Sequence, residues 1–156
     1  SKALADRLNS LTSFNVVEAS DNEFIESGTV YIAPGGQQMK IVKRGGKYKV
    51  ILSDDEPVNR FKPSVDYLFN NFKKVMHPNT VSIILTGMGA DGAKGMLELN
   101  LNGSKTIAQD EESSVVFGMP REAIKLGGVD EIVSLDNIPE KIVEVFNRNK
   151  KVTMAG

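Results

Sequence analysis

Hydrophobic spacing divides the chain into short elements. Leu4, Leu8 and Leu11 recur at i, i+4 and i+7, which predicts an amphipathic helix at the amino end. Residues 14–19 and 29–33 read as short strands, the second stopped by Pro34, Gly35 and Gly36. Runs 39–44 and 47–52 flank Gly45 and Gly46, the signal of a two-residue hairpin, and their alternating lysines predict one wet face. Residues 53–63 are polar and irregular. Val65, Leu68, Phe69, Phe72, Val75 and Met76 then form one helical stripe, closed by Pro78.

From residue 81 onward strands alternate with helices. A strand over 81–86 (VSIILT) leads through a glycine-rich turn into a helix over 93–99, and 105–108 is the next strand. The turn-rich stretch 115–120 (VVFGMP) opens a short helix over 121–126, and 131–135 is the last strand. Asn137 with Glu140 three residues on reads as a helix cap, with Ile138, Ile142, Val145 and Phe146 facing inward. Such alternation predicts parallel pairing with right-handed crossovers. The expected fold class is α/β: a three-layer, mainly parallel Rossmann-like sheet with an antiparallel hairpin portion. Residues 1–150 are expected to form one domain, and 151–156 a flexible tail.

Composition narrows the function classes. With 156 residues, 40% of them hydrophobic and 25% charged, the chain can bury a core. A net charge of −1 gives no reason to expect a nucleic-acid partner or an anionic membrane surface. The absence of Cys rules out disulfides and thiolate catalysis, and with a single His no metal site is expected. No apolar run approaches the length of a membrane span, so membrane insertion is not expected. The lack of Cys fits a reducing cytoplasm, the expected location. The helical pattern starts without a cap or lead-in, and the chain is therefore expected to be cut from a longer one.

The chemistry concentrates in Gly87-Met88-Gly89-Ala90-Asp91-Gly92, between a strand and a helix. Open α/β folds keep their sites at such turns. Gly87, Gly89 and Gly92 match the spacing of a dinucleotide-binding turn, and Asp110 falls about 20 residues on, where a ribose-binding acid is expected. Asp91 opposes that reading. It stands where a pyrophosphate would sit, and a second negative charge about 4 Å away costs about 4 kcal/mol at an effective dielectric near 20. The same residues also read as a tight turn that needs glycine, with Asp91 as a plain helix cap.

Four separated motifs carry a resemblance. ILTGMGADG at 84–92, VVFGMPREA at 115–123, VYIAPG at 30–35 and PVNRFKPSVD at 57–66 resemble the catalytic domain of the bacterial chemotaxis methylesterases of CheB type, in the family's order and over residues 1–146. The resemblance implies hydrolysis of glutamate γ-methyl esters, and deamidation of glutamines, on chemoreceptors. It implies a Ser-His-Asp mechanism with no metal or organic cofactor. The family's acid maps onto Asp91, and its oxyanion-site backbone N–H onto Met88. The implied partners are the cytoplasmic helices of methylated chemoreceptors and the receiver domain of the full-length parent. Asn59, Arg60, Phe117, Gly118, Met119 and Pro120 are expected near the substrate; the alternative is that Phe117 and Met119 are core and Arg60 a solvated charge.

One departure is large. The family's Ser-bearing glycine turn and its His-Met-Pro segment have no counterpart here, and residues 1–8 resemble the helix that follows that His. The chain is expected to begin downstream of nucleophile and base, holding only the Asp and part of the oxyanion site, and to be inactive by itself. No substitute triad is expected. His77, the sole imidazole, reads as an exposed residue at a helix end. Ser64, Ser82, Ser113 and Ser114 carry no nucleophile signal, and no G-x-S-x-G turn exists.

Overall fold

A computed structural model describes the backbone of residues 1–155 and the side chains through Arg148. The segment 151–156, expected as a tail, lies outside the residues whose side chains are described. The chain forms two compact units, Ser1–Val75 and Met76–Gly156.

In the first unit, α1 (Lys2–Leu11) packs on β1 (Asn15–Glu18), which pairs in parallel with β2 (Thr29–Ile32). β3 (Gln38–Arg44) and β4 (Lys47–Ser53) form an antiparallel hairpin, and α2 (Val65–Phe72) packs on β3. Gly45 and Gly46 both have positive φ, 59° and 80°, as a two-residue hairpin turn requires. The alternation along the hairpin puts Met39, Ile41, Val50 and Leu52 on one face, where they meet Ala19, Tyr31, Ala33 and Leu68 as the core.

α2 stops earlier than its apolar stripe. Its last residue is Phe72, and Val75 and Met76 lie beyond it. The Tyr48 hydroxyl donates to the carbonyl of Val75 at 2.8 Å, and the Tyr48 ring meets Phe72 edge-on at 6.3 Å. A hydrogen bond from the hairpin thus takes a carbonyl near the end of the stripe. His77 is consequently in a loop rather than at a helix end. Its Nδ1 accepts from the Asn79 N–H at 3.0 Å.

In the second unit, β5 (Val81–Ile84), β6 (Lys105–Gln109) and β7 (Glu131–Val133) form a parallel sheet in that order. α3 (Ala93–Leu101) and α4 (Met119–Lys125) connect them, and α5 (Ile138–Ala155) follows a single 3-10 turn, Leu135–Asn137. Val81, Ile83, Ile107 and Val133 turn one face of the sheet to Ile138 and Ile142 of α5. On the other face Ile84 and Ala108 are buried, as are Met96 and Leu99 of α3 and Ala123 of α4. Helices on both faces make three layers. Burial of Met96 and Leu99, both 0% exposed, stabilises this packing by about 1.5–3 kcal/mol each.

Polar groups inside the second unit are paired. Ser82 and Ser104 share a hydrogen bond of 2.8 Å between their hydroxyls. The fully buried Thr106 accepts from Asn100 at 3.1 Å and from the Asp130 N–H at 2.9 Å. The fold class is the α/β arrangement expected, mostly parallel with one antiparallel hairpin.

Candidate active site

The loop 85–92 leaves the carboxyl end of β5. The expected strand over 81–86 ends at Ile84, because Thr86 bonds outside the ladder. Its N–H donates to Oε1 of Gln109 at 2.8 Å. Its hydroxyl donates to the Val116 carbonyl at 3.0 Å and accepts from the Val116 N–H at 2.9 Å. Gly87 continues the clamp. Its N–H donates to the Val116 carbonyl at 3.0 Å, and its carbonyl accepts from Met119 at 2.8 Å and from Gly118 at 3.1 Å. Five hydrogen bonds therefore lock the two glycine motifs, 85–92 and 115–119, against each other.

Contact at this crossing is close enough to require glycine. A Cβ on Gly118 would lie 2.7 Å from the Gly87 carbonyl oxygen and 3.1 Å from the Gly89 nitrogen. Further along, Gly92 occupies the cap position of α3 with φ of 96°, a left-handed conformation that favours glycine. Asp91 therefore stands one residue before the cap, and it is 5% exposed. Met88 points the other way, 79% exposed, and its N–H donates to no backbone or side-chain acceptor among the described residues. Within one turn the loop holds a buried carboxylate and an open backbone donor.

The other expected site residues divide. Gly118 and Pro120 are buried, and Phe117 and Met119 are half-buried, in or next to the clamp. Asn59 and Arg60 lie in the first unit. There they form a tight turn in which Val58 and Phe61 exchange hydrogen bonds of 3.0 and 2.9 Å. Both have positive φ, 54° and 70°. Asn59 is fastened by its side-chain amide, which donates to buried Asp66 at 2.7 Å. The loop is held from below by Gln38, fully buried, which donates to the carbonyls of Glu56 and Phe61 and accepts from the Ser64 N–H at 2.9 Å.

Sequence reading missed Gln38, Thr86 and Gln109. A glutamine at the beginning or end of an apolar strand was the available signal, since such a side chain, if buried, must find partners. Gln109 does so twice over: 0% exposed, it also donates to the Ser113 carbonyl at 2.8 Å. Each serine considered as a nucleophile has a structural partner. Ser64 caps α2, Ser82 pairs with Ser104, and Ser113 and Ser114 bond Asp110. Asp110, the expected ribose partner in the nucleotide reading, accepts both the hydroxyl and the N–H of Ser113, which hold its carboxyl below the usual carboxylate range. With that acid engaged and Asp91 in the turn, the nucleotide reading is not favoured.

Comparison with known proteins agrees with this geometry. Residues 1–142 match the family model described as CheB methylesterase. The chain belongs to the CheB methylesterase family. A protein-glutamate methylesterase/protein-glutamine glutaminase of Pectobacterium atrosepticum is 50% identical over 142 residues, 91% of this chain and 41% of the relative. The protein of the same description from Salmonella typhi is 48% identical over 151 residues, 97% of this chain and 43% of the relative. The chain thus spans about two fifths of these curated relatives. The crystal structure of the Thermotoga maritima CheB methylesterase catalytic domain superposes with a TM-score of 0.89 at 38% identity, covering 92% of this chain and 76% of that one. Among the described residues no helix is long and apolar enough to cross a membrane.

Proposed function

We propose that this chain is the acid-bearing part of a cytoplasmic hydrolase that cleaves glutamate γ-methyl esters, and deamidates glutamines, on chemoreceptors. The reading is supported by the family and by the activity that its relatives are named for. The observation that carries it is the 85–92 loop: buried Asp91 and the open N–H of Met88 on one turn, clamped to 115–119.

The roles follow from acyl-transfer chemistry. A serine hydroxyl attacks the ester carbonyl while an imidazole takes its proton; the tetrahedral oxyanion then collapses and expels methanol, or ammonia from a glutamine. Water releases the acyl group as glutamate. Asp91 holds the imidazole in its working tautomer and stabilises the imidazolium. A carboxylate just before a helix start suits that role, because the helix dipole favours the anion. The Met88 N–H supplies one oxyanion donor, a contribution whose loss costs about 10²–10³ in rate in comparable enzymes. None of these steps calls for a metal or organic cofactor. The Ser-bearing glycine turn and the His-Met-Pro segment of the family have no counterpart among these residues. The partners are the cytoplasmic helices of methylated receptors and a receiver domain of the parent protein.

The test is a methyl-ester hydrolysis assay on the longer protein and on this chain. Asp91→Asn is expected to lower kcat by about 10⁴, as the wrong tautomer does in other serine hydrolases. His77→Gln is expected to leave turnover within a few-fold. The 156-residue chain alone is expected to be inactive, since triad members act as a unit. Near-normal turnover in Asp91→Asn would return Asp91 to a structural role, and parent-like turnover by the chain alone would overturn the triad assignment.

A further inference from the structure

The β3–β4 hairpin is charged unlike the rest of the chain. Residues 38–53 hold Lys40, Lys43, Arg44, Lys47 and Lys49 and no Asp or Glu, although the whole chain has 19 basic and 20 acidic residues. None of the five forms an ion pair among the described residues. Register explains their display. Met39, Ile41, Val50 and Leu52 take the core face, so Lys40, Arg44, Lys47 and Lys49 fall on the opposite one, with Arg44 directly across from Lys47. Phe24, 47% exposed, bridges to Lys49 and lies under two ammonium groups, Lys49 at 4.6 Å and Lys47 at 5.7 Å from its ring centroid. Cation–π contact of this kind restrains long side chains and keeps their charge at a fixed place.

We infer that this face of the hairpin is a docking surface for the acidic helical surface of the protein substrate. The inference rests on the proposed function for the choice of partner. Both reactions named for the relatives, ester hydrolysis and glutamine deamidation, turn a neutral side chain into a carboxylate. A substrate with several such sites gains negative charge with every turnover. The spacing is complementary. Cations two residues apart along a strand stand about 7 Å apart and cross-strand neighbours about 5 Å. Carboxylates at i, i+3 and i+4 on a helix stand about 5–6 Å apart. A polyanionic duplex fits less well, because the whole chain is net negative and has no long-range field to draw it. A lipid surface fits less well because, among the described residues, Phe24 is a single exposed aromatic beside these cations, Tyr48 being half-buried on the core face.

Binding and turnover test this separately. The chain is titrated with a fluorescent helical peptide bearing glutamates at i, i+4, with vesicles of equal parts phosphatidylserine and phosphatidylcholine, and with a short DNA duplex. The expected result is salt-sensitive binding of the peptide, weakened about fivefold in Lys47→Gln/Lys49→Gln, the size two exposed ion pairs give. Lys74→Gln/Lys105→Gln, with the same loss of charge elsewhere, is expected to bind as the parent does. In the longer protein the hairpin variant is expected to raise KM for the methylated receptor and leave kcat unchanged, with turnover of a short γ-methyl-glutamyl peptide unaffected. Preference for vesicles or duplex, equal weakening by the two double variants, or an unchanged KM in an active variant would each overturn the docking surface. If the longer protein hydrolyses neither ester while the chain still binds the acidic peptide through the hairpin, the proposed function fails and the acidic docking surface stands.

Discussion

The backbone N–H of Thr86 donates to the side-chain oxygen of Gln109 at 2.8 Å, so the chain leaving β5 is held by a residue at the end of the neighbouring strand. The same glutamine donates to Ser113, so one buried amide braces both loops of the clamp. Gln109→Leu removes all of these bonds, and a buried polar group left unpaired costs about 1–3 kcal/mol. Gln109→Glu keeps the acceptor for Thr86 but sets a carboxylate oxygen against the Ser113 carbonyl and buries a charge. Thermal denaturation is expected to place both variants below the parent, Glu lowest at neutral pH because of its buried charge. In the longer enzyme Gln109→Leu is expected to lower kcat with little change in KM, because the loop bearing the Met88 N–H loosens. An unchanged kcat in a folded Leu variant would show that Gln109 braces nothing the chemistry uses.

Two glycines in the clamp should respond differently to a methyl group. At Gly118 the new Cβ meets backbone on every side, with the Gly87 oxygen at 2.7 Å and the Met88 Cα at 3.2 Å. At Gly87 it overlaps only the Met119 sulfur, the movable end of a flexible side chain. Gly118→Ala is expected to cost about 1–3 kcal/mol, typical of overpacking, and Gly87→Ala less. Urea denaturation of the two variants side by side checks the order.

Arg60 sits at φ of 70°, where a non-glycine residue stores about 1–2 kcal/mol of strain. Glycine would relieve that strain, and its extra freedom in the unfolded chain offsets about 0.4–1 kcal/mol of the gain. Arg60→Gly is therefore expected to fold with a Tm equal to or slightly above the parent's. If the turn presents Arg60 to substrate, the same variant in the longer enzyme raises KM for the receptor. A stable variant with parental KM would make Arg60 a solvated turn residue.

Asp110 is expected to titrate below the ordinary carboxylate range, chiefly because the Ser113 hydroxyl donates to it at 2.6 Å. A carboxyl depressed in the folded state contributes stability above its unfolded pKa, near 4, and that contribution is lost as pH falls through the folded value. Ser113→Ala should move the Asp110 titration upward, toward the ordinary value, and shrink the stability that Asp110 contributes above its unfolded pKa. Carbon NMR of the Asp110 carboxyl reads this directly, separately from the bonds to Gln109 and Leu135 that the variant also loses.

Much of the architecture was legible because local patterns carry it. Periods of two and of about 3.6 marked the strands and helices, Gly45-Gly46 marked the hairpin, and strand–helix alternation marked the parallel sheet. Boundaries failed where distant groups intervened. The stripe of α2 continues to Met76, yet the helix ends at Phe72, with the Val75 carbonyl taken by Tyr48. Strand 81–86 loses two residues because Thr86 finds a side-chain partner on β6 and a backbone partner at Val116.

Phe146, expected to face inward, is 42% exposed, and Leu4 and Leu11 of the first stripe are 51% and 69% exposed, so spacing alone did not decide burial. By itself, the sequence determined the period of most elements and the hairpin turn at Gly45-Gly46, and it placed Asp91 and Met88 together in the turn after an apolar strand. Those are local properties of side-chain polarity, spacing and backbone freedom. Only the tertiary structure decided that Asp91 is buried while Met88 is exposed, that Asn59 and Arg60 form a left-handed turn tied to Asp66, and that Gln38 and Gln109 act as braces. The physical reason is the same in each case. A buried polar group must be hydrogen-bonded, and its partner is set by which backbone groups folding leaves unpaired nearby, often many residues away.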